Sequence, residues 1–131
     1  MSQNRKLPQR LVFVVALLLV GCSTVGPLTK SDKKIRASIL KRTPLDSTYD
    51  QVHAFVERQR WLDRTHCEER GFFMQPPGSG EIEVGHRSIR GHLGTTRLVF
   101  FPFETDVLAY WGFDTNNLLI EVWIDKQTDA P

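Results

Sequence analysis

The sequence predicts an α+β domain in which an N-terminal amphipathic helix, with room for a second short helix before it, packs on an antiparallel β-meander of three to four strands. Two observations support this prediction. An apolar stripe with helical spacing follows a capping sequence near residue 48, and residues 107–124 alternate between apolar and polar side chains around a turn. A helix and a sheet that each carry one apolar face are stable together because each covers the other.

The helix is predicted from about Thr48 to Trp61. Thr48 with Gln51, or Ser47 with Asp50, forms a capping-box pattern that satisfies the free N–H groups of the first turn. The apolar residues that follow share one face, and they are Tyr49, Val52, Phe55, Val56 and Leu62. The segment 35–40 before the helix is either a strand or a helical turn, and Thr43-Pro44 ends it because proline disfavours the α conformation in the residue before it.

The β region is predicted after a loop at residues 63–81, in which Phe72-Phe73-Met74 is an apolar island and residues 75–80 form a turn cluster. The first strand runs from Ile82 towards Leu93, with a bulge allowed at Gly85. Residues 94–96 are predicted as a turn. The apolar run 98–103 is the next strand, which Pro102 ends or places at an edge.

The last hairpin has the clearest pattern. Four apolar residues share one face of its first strand, namely Val107, Ala109, Trp111 and Phe113, and the turn follows at residues 114–117. On the return strand, one face carries Leu118, Ile120, Val122 and Ile124, and the opposite face carries Leu119, Glu121, Trp123 and Asp125. If Val122 and Ile124 face the helix, Trp123 and Leu119 face outward beside Tyr110 or Trp111.

The first 21 residues have the pattern of an export signal. Three basic residues precede ten apolar residues, 11–20, a run that is too short for the ~20 residues of a spanning helix. The segment Leu19-Val20-Gly21-Cys22 then resembles the lipobox of bacterial lipoproteins. This resemblance implies cleavage between Gly21 and Cys22, a diacylglycerol on the Cys22 thiol and acylation, for example with palmitate, of the new amino terminus; the alternative is an uncleaved signal-anchor helix.

Residue 23 is serine rather than aspartate, which resembles lipoproteins sent to the outer membrane. The expected organisation is a signal peptide at 1–21, a lipidated flexible tether at 22–33 and one periplasmic α+β domain at 34–131. The membrane is thus an expected partner through the anchor. After cleavage, 14 basic and 15 acidic residues remain, so the composition gives no electrostatic support for nucleic-acid binding.

The order of lipobox, tether, capped helix and β-meander resembles small outer-membrane lipoproteins of the BamE (SmpA/OmlA) type. Thr48-x-x-Gln51-Val52 is similar to the start of the helix in that family. The family's Gly-Met before the cap is Asp46-Ser47 here, and its Leu-Gly-x-Pro after the helix has no counterpart. The resemblance implies a non-catalytic domain that binds a partner protein at the outer membrane.

The other chemical candidates are weaker, and no catalytic residue, metal site or cofactor is predicted. Cys67 has no partner once Cys22 is acylated, and a buried thiol is preferred to a disulfide between chains or a nucleophile served by a histidine. His66, Cys67, His86 and His92 lack the close pairs of a structural zinc site. The acid pairs Glu81/Glu83 and Asp106/Asp114 are interpreted as solvent-facing residues.

The aromatic residues suggest a binding surface, because they exceed what one face of a small sheet can bury. The candidate surface consists of Tyr110, Trp111, Leu119 and Trp123. A second covering layer, from the loop at 63–81 or a second copy, is the alternative. The predicted function is a lipid-anchored, non-catalytic protein-binding domain in outer-membrane assembly or maintenance. A periplasmic inhibitor or ligand-binding module with an acidic face is the alternative, and a cysteine-dependent hydrolase is the third.

Overall fold

The computed structural model describes residues 27–64, 66, 68–97 and 100–129. The signal peptide, Gly21, Cys22 and Cys67 lie outside the described residues, so the expectations for them remain predictions. The described elements, in chain order, are α1 Asp32–Arg42, α2 Tyr49–Arg58, β1 Phe72–Met74, β2 Ile82–Val84, β3 Arg87–Arg97, β4 Glu104–Phe113 and β5 Leu119–Thr128. None of the helices in this part of the chain has the length and apolar character that crossing a membrane requires.

The α+β class and the β-meander are confirmed. The meander is a three-stranded antiparallel sheet in the order β3-β4-β5, and β1 and β2 form a separate two-stranded antiparallel ribbon. The predicted count of three to four strands was therefore too low, since the described part of the chain contains five. The helices precede the strands but do not lie at the N-terminus of the chain, because α1 begins only at Asp32.

Helix α2 follows the predicted capping pattern closely. Thr48 accepts a hydrogen bond from the Gln51 backbone N–H, and the Gln51 side chain accepts one from the Thr48 N–H, which completes the capping box. The helix ends earlier than predicted, at Arg58. There, Arg60 has a left-handed φ of 59°, and the N–H groups of Arg60 and Trp61 donate to the carbonyls of Glu57 and Val56. These two bonds are those of a Schellman C-cap.

The uncertain segment at 35–40 belongs to a helix. Ser31 caps α1 by accepting a hydrogen bond from the Lys34 N–H, and Ile35 and Ile39, four residues apart, are buried on one face. Within the segment predicted as a tether, Leu28 packs against the core.

One core fills the space between the two helices and the inner face of the three-stranded sheet. Among the described residues, the sheet contributes nine buried positions, which are Ile89, Leu93, Val107, Ala109, Trp111, Phe113, Leu119, Val122 and Ile124. This confirms the predicted inner face of β4. Residues 94–96, predicted as a turn, instead lie within β3, where a register shift between His92 and Gly94 lets the strand continue.

The predicted strand at 98–103 was wrong for its described part. Phe100 lies in a turn, and residues 101–103 belong to no strand, because β4 begins only at Glu104. The apolar island at 72–74, predicted as loop, is β1 and pairs with β2 in the register Phe72 to Val84. Pro77 and Gly78, with a φ of 77° at Gly78, provide the residues that a type II turn requires in the connection between them.

Both edges of the sheet are partly covered. The chain after α2 runs along β3, where the backbone N–H groups of Asp63 and His92 donate to the carbonyls of Arg90 and Trp61. On β5, Arg36 of α1 donates to the Val122 carbonyl over 2.8 Å and pairs with Glu121 over 2.6 Å. Covered edges have fewer free backbone groups with which another strand can pair.

Candidate functional site

The four residues of the predicted binding surface divide into two pairs. Tyr110 and Trp123 are opposite each other on β4 and β5 and are both half-buried on the outer face of the sheet. Trp111 and Leu119 are 0% exposed and belong to the core, so their assignment to an exposed surface is corrected. For Trp111 the reason is the simple alternation of β4, which places it beside Ala109 and Phe113 on the inner face.

Leu119 was assigned to the wrong face because β5 contains an irregularity. Phe113 pairs with Leu119, whereas Gly112 pairs with Glu121, so Ile120 is an extra residue with no partner of its own on β4. A bulge of this kind shifts the alternation by one position. Leu119 therefore faces the core and Ile120 is exposed, while Trp123 remains on the outer face as predicted.

The second covering layer that the sequence offered as the alternative is present over Tyr110. The Phe72 ring lies 5.5 Å from the Tyr110 ring, and the His66 ring lies 6.0 Å from it, edge to face. His66 lies in the loop that precedes the ribbon, and Phe72 is the first residue of β1. The outer face of the sheet thus carries its own small aromatic cluster.

Three glycines allow the ribbon to come this close. A Cβ at Gly71 would lie 2.3 Å from the carbonyl oxygens of Val84 and Gly85, and one at Gly112 would lie 2.8 Å from the Phe72 ring. Gly85 has a φ of 80° and connects the ribbon to the sheet. A side chain at Gly112 would push the ribbon away from β4, and one at Gly71 would overlap the backbone at the end of β2.

Between the ribbon and the sheet lies a cleft of about 330 Å³, which we call the aromatic cleft. It is lined by His66, Arg70, Gly71, Phe72, Phe73, Arg90 and Tyr110. The Arg70 guanidinium lies 5.0 Å from the centre of the Phe73 ring, and the Arg90 guanidinium lies 5.7 Å from that of Tyr110. Stacking on rings holds these two cations in place; Arg90 already has Asp63 as an ion-pair partner, whereas the exposed Arg70 guanidinium is placed to bind an acid.

Burial and neighbouring charged groups affect the ionisable residues that line the cleft. The Arg90 Nε atom lies 3.3 Å from Asp63 Oδ2, but the two are not aligned as a hydrogen bond, and this Nε has no hydrogen-bond acceptor although it is buried. Burial raises the pKa of the Tyr110 phenol, which therefore stays protonated at neutral pH. Burial, followed by the positive charge of Arg90, lowers the pKa of His66.

His66 and Ser88 form a pair that resembles a base and a nucleophile but is arranged differently. His66 Nε2 lies 2.6 Å from Ser88 Oγ, and the same hydroxyl donates to the Arg70 carbonyl over 2.8 Å. The Ser88 hydroxyl has one proton, which it donates to the Arg70 carbonyl. Ser88 Oγ must therefore accept a hydrogen bond from His66, so the neutral imidazole carries its proton on Nε2. Ser88 is also completely buried. This pair therefore holds the loop in place and does not activate a nucleophile.

Further contacts fix the same loop to the rest of the fold. The Tyr49 hydroxyl of α2 donates to Glu68 Oε2 over 2.6 Å, and the Arg87 guanidinium lies 3.7 Å from the centre of the Tyr49 ring. Burial, and then the hydrogen bond to Glu68, raise the pKa of Tyr49 well above its ordinary value. The Ser88 N–H donates to the Glu68 carbonyl. One wall of the aromatic cleft is thus held from both the helix and the sheet.

A larger, more polar depression of about 550 Å³ lies beside the cleft, and we call it the acidic groove. Its lining includes Glu69, Arg70, Glu83, His86 and Asp114. Of the predicted acid pairs, Glu83 and Asp114 therefore line a common depression, although they were not paired in the prediction. Asp106 lies elsewhere, where hydrogen bonds from Thr95 over 2.6 Å and from His92 lower its pKa.

The three described histidines that were considered for a metal site contact different groups. His66 bonds to Ser88, His86 lines the acidic groove and His92 bonds to Asp106. Among the described residues, which exclude Cys67, no three His, Cys, Asp or Glu side chains lie together in a way that could hold a metal ion.

Sequence reasoning missed Arg70 and Arg90 as members of a site. Both are ordinary charged residues in the sequence, and only the pairing of the ribbon beside β4 places them at one cleft. A comparison of the chain with models of protein families, with curated proteins and with solved structures finds no match. The resemblance to lipoproteins of the BamE type therefore stays a prediction based on the capping motif and the order of elements.

Proposed function

We propose that this chain is a lipid-anchored protein of the outer membrane, facing the periplasm, that acts by binding a partner protein through the aromatic cleft. The assembly or maintenance of the outer membrane is the process in which such an anchored binding domain acts. The observation that supports binding is the combination of two ring-stacked guanidinium groups and three aromatic rings in one cleft. Arginine and aromatic residues are the side chains that dominate the energy of protein interfaces.

The chemistry of the cleft indicates which part of a partner it receives. The Arg70 guanidinium favours a carboxylate, from an acidic side chain or a chain terminus, because arginine binds carboxylates through paired hydrogen bonds. The rings of Phe72, Phe73 and Tyr110 favour an apolar side chain beside that carboxylate. The expected ligand is a short segment of protein with an acidic residue next to an apolar one.

Photo-crosslinking in living cells tests this proposal. A benzoylphenylalanine in place of Phe73, which is 43% exposed at the cleft, is expected to give one discrete crosslinked product. The same residue in place of Leu45, which is similarly exposed but lies between the two helices, is the control and should not give that product.

Charge reversal then identifies the role of the guanidinium. Arg70→Glu should abolish the crosslink from position 73, because a carboxylate would repel the acidic partner. Lys33→Glu, an equal change of charge on the exposed side of α1, should leave it intact. Equal products from positions 73 and 45, or a product that survives Arg70→Glu, would contradict binding through this cleft.

The acidic groove supports a second candidate function, an inhibitor or ligand-binding module for a basic target. Three carboxylates, those of Glu69, Glu83 and Asp114, line that groove. Binding of this kind would weaken steeply with salt and would be lost in Glu83→Lys while Arg70→Glu leaves it in place. The two candidate functions therefore make opposite predictions for these two variants.

A further inference from the structure

The loop between β3 and β4 carries exposed phenylalanines. Phe100 is 93% exposed and Phe101 is 59% exposed, while Phe103 is half-buried beside them. Next to these rings lies a mainly apolar depression of about 240 Å³. A single exposed apolar side chain is common, but two successive exposed aromatic residues at the end of a hairpin are unusual and mark a candidate contact surface.

The chain enters the domain at the same end of the sheet. Leu28 packs against Gly94 of β3, where an added Cβ would lie 2.8 Å from Leu28 Cδ1. The Lys30 carbonyl accepts a hydrogen bond from the Lys126 ammonium over 2.6 Å. Gly94 and Lys126 belong to one row across the sheet, because both pair with Val107 of β4.

The covalent distances limit how far the acylated cysteine can lie from this loop. Six residue steps separate Cys22 from Leu28, and a fully extended chain spans at most about 3.6 Å per residue, or roughly 22 Å in all. From Gly94, strand β3 continues for three residues to Arg97, which is about 10 Å at the rise of a strand. The chain between Cys22 and Leu28 is therefore long enough for the acyl chains and the phenylalanines to reach the same bilayer.

We propose that Phe100 and Phe101 insert into the interface of the lipid bilayer in which Cys22 is anchored, so that the domain has a second contact with the membrane. The proposal rests on the acylation of Cys22 proposed above. Aromatic rings are favourable at the boundary between head groups and acyl chains, and a surface contact of this kind adds to an acyl anchor. The contact orients the domain, with the sheet end at residues 97–104 towards the bilayer and the aromatic cleft on the flank of the sheet.

Fluorescence quenching by brominated lipid tests the insertion. The full-length protein is purified from cell membranes as Phe100→Trp and placed in phosphatidylethanolamine–phosphatidylglycerol vesicles that contain phosphatidylcholine brominated near the start of its acyl chains. The signal is the fluorescence of the variant minus that of the parent protein, which contains three tryptophans. We expect at least a two-fold loss of the added fluorescence and a blue-shifted emission.

Phe73→Trp, at an exposed position of the ribbon, is the matched control and should be quenched little. Phe100 is so exposed that the substitution does not disturb the core, which circular dichroism of both variants verifies. Equal and weak quenching of the two variants in an acylated protein would overturn the insertion while leaving the anchor in place.

The intact mass of the same samples separates the two proposals. Quenching of Phe100→Trp in a protein that lacks acyl chains would support insertion of the loop and refute the anchor. A protein without acyl chains whose position 100 is not quenched would refute both.

Discussion

The indole N–H of Trp111 donates a hydrogen bond to Thr43 Oγ1 over 3.1 Å, which connects the centre of β4 to the C-cap of α1. Both residues are buried, and the Thr43 hydroxyl in turn donates to the Ile39 carbonyl over 3.2 Å. Trp111, the largest side chain of the core, thus has a hydrogen-bond acceptor for its buried indole N–H. The acceptor is Thr43, whose position is fixed by the C-terminal end of α1. The contact makes the packing of α1 specific as well as apolar.

Thr43→Val should lower the free energy of unfolding by about 1–3 kcal/mol, because it keeps the shape of the side chain but leaves the buried indole N–H without an acceptor. Chemical denaturation monitored by tryptophan fluorescence measures this loss. Thr43→Ser, which keeps the hydroxyl, is the control and should lose clearly less. Equal losses in the two variants would show that the hydrogen bond does not contribute.

Phe55→Ala should lower the free energy of unfolding by about 3–5 kcal/mol, because the ring is buried in the stripe of α2 and packs edge to face on Trp61. Leu45→Ala, at an exposed position, should change it by about 0.5 kcal/mol or less. Urea denaturation of both variants provides the comparison. A loss well under 1 kcal/mol for Phe55→Ala would show that α2 does not pack as described.

Gly71→Ala should destabilise the fold by about 1–3 kcal/mol or more, because the added methyl group would overlap the carbonyl oxygens of Val84 and Gly85. Gly80→Ala is a matched change in the same ribbon, where an added Cβ meets nothing within 4 Å. That variant should be neutral or slightly stabilising, since alanine restricts the unfolded chain. Thermal unfolding of the pair distinguishes close packing of the ribbon from a loosely attached one, for which both variants would behave alike.

The stability of the protein should depend on pH through His66. Burial lowers the pKa of this imidazole in the folded state, whereas in the unfolded chain it titrates near its ordinary value of about 6.5. Between these two pKa values the unfolded chain binds more protons, so the free energy of unfolding rises with pH. The stability that depends on an unprotonated His66 is fully present above about pH 6.5. It is lost as the pH falls towards the lowered pKa of His66 in the folded state.

Denaturant midpoints measured from pH 7.5 to pH 5 test this dependence. In His66→Gln the fall in stability over that range should be smaller than in the parent protein. His86→Gln, a change at an exposed histidine, controls for the loss of an imidazole as such. An identical fall in the parent protein and in His66→Gln would show that burial of His66 does not couple folding to protons.

Local patterns predicted the parts of the fold that depend on neighbouring residues. The capping box of Thr48 and Gln51 is formed within three residues, and the inner face of β4 follows from strict alternation. These signals need no information about distant contacts. They were sufficient to predict the class of the fold and most of its core.

Other parts depend on pairing that no short segment encodes. Strand β1 of the ribbon is three residues long, and its partner β2 follows a connection of seven residues. In the sequence, Phe72 and its neighbours therefore resembled an apolar island in a loop. The extra residue Ile120 reversed the expected faces of β5 at Leu119. Tyr110 and Trp123 were placed on the outer face correctly because they follow regular alternation. The positions of the two arginines of the cleft depend instead on where the ribbon lies.

The most direct test of the central claim, an exported binding domain held to the membrane through Cys22, is the intact mass of the protein purified from cell membranes. We expect the mass of residues 22–131 plus a diacylglyceryl group on the thiol and one further acyl chain on the amino terminus. Cys22→Ser should abolish these additions and release the processed protein or leave it unprocessed. A mass equal to that of the whole unmodified chain of 131 residues, recovered from the cytoplasm, would contradict the account.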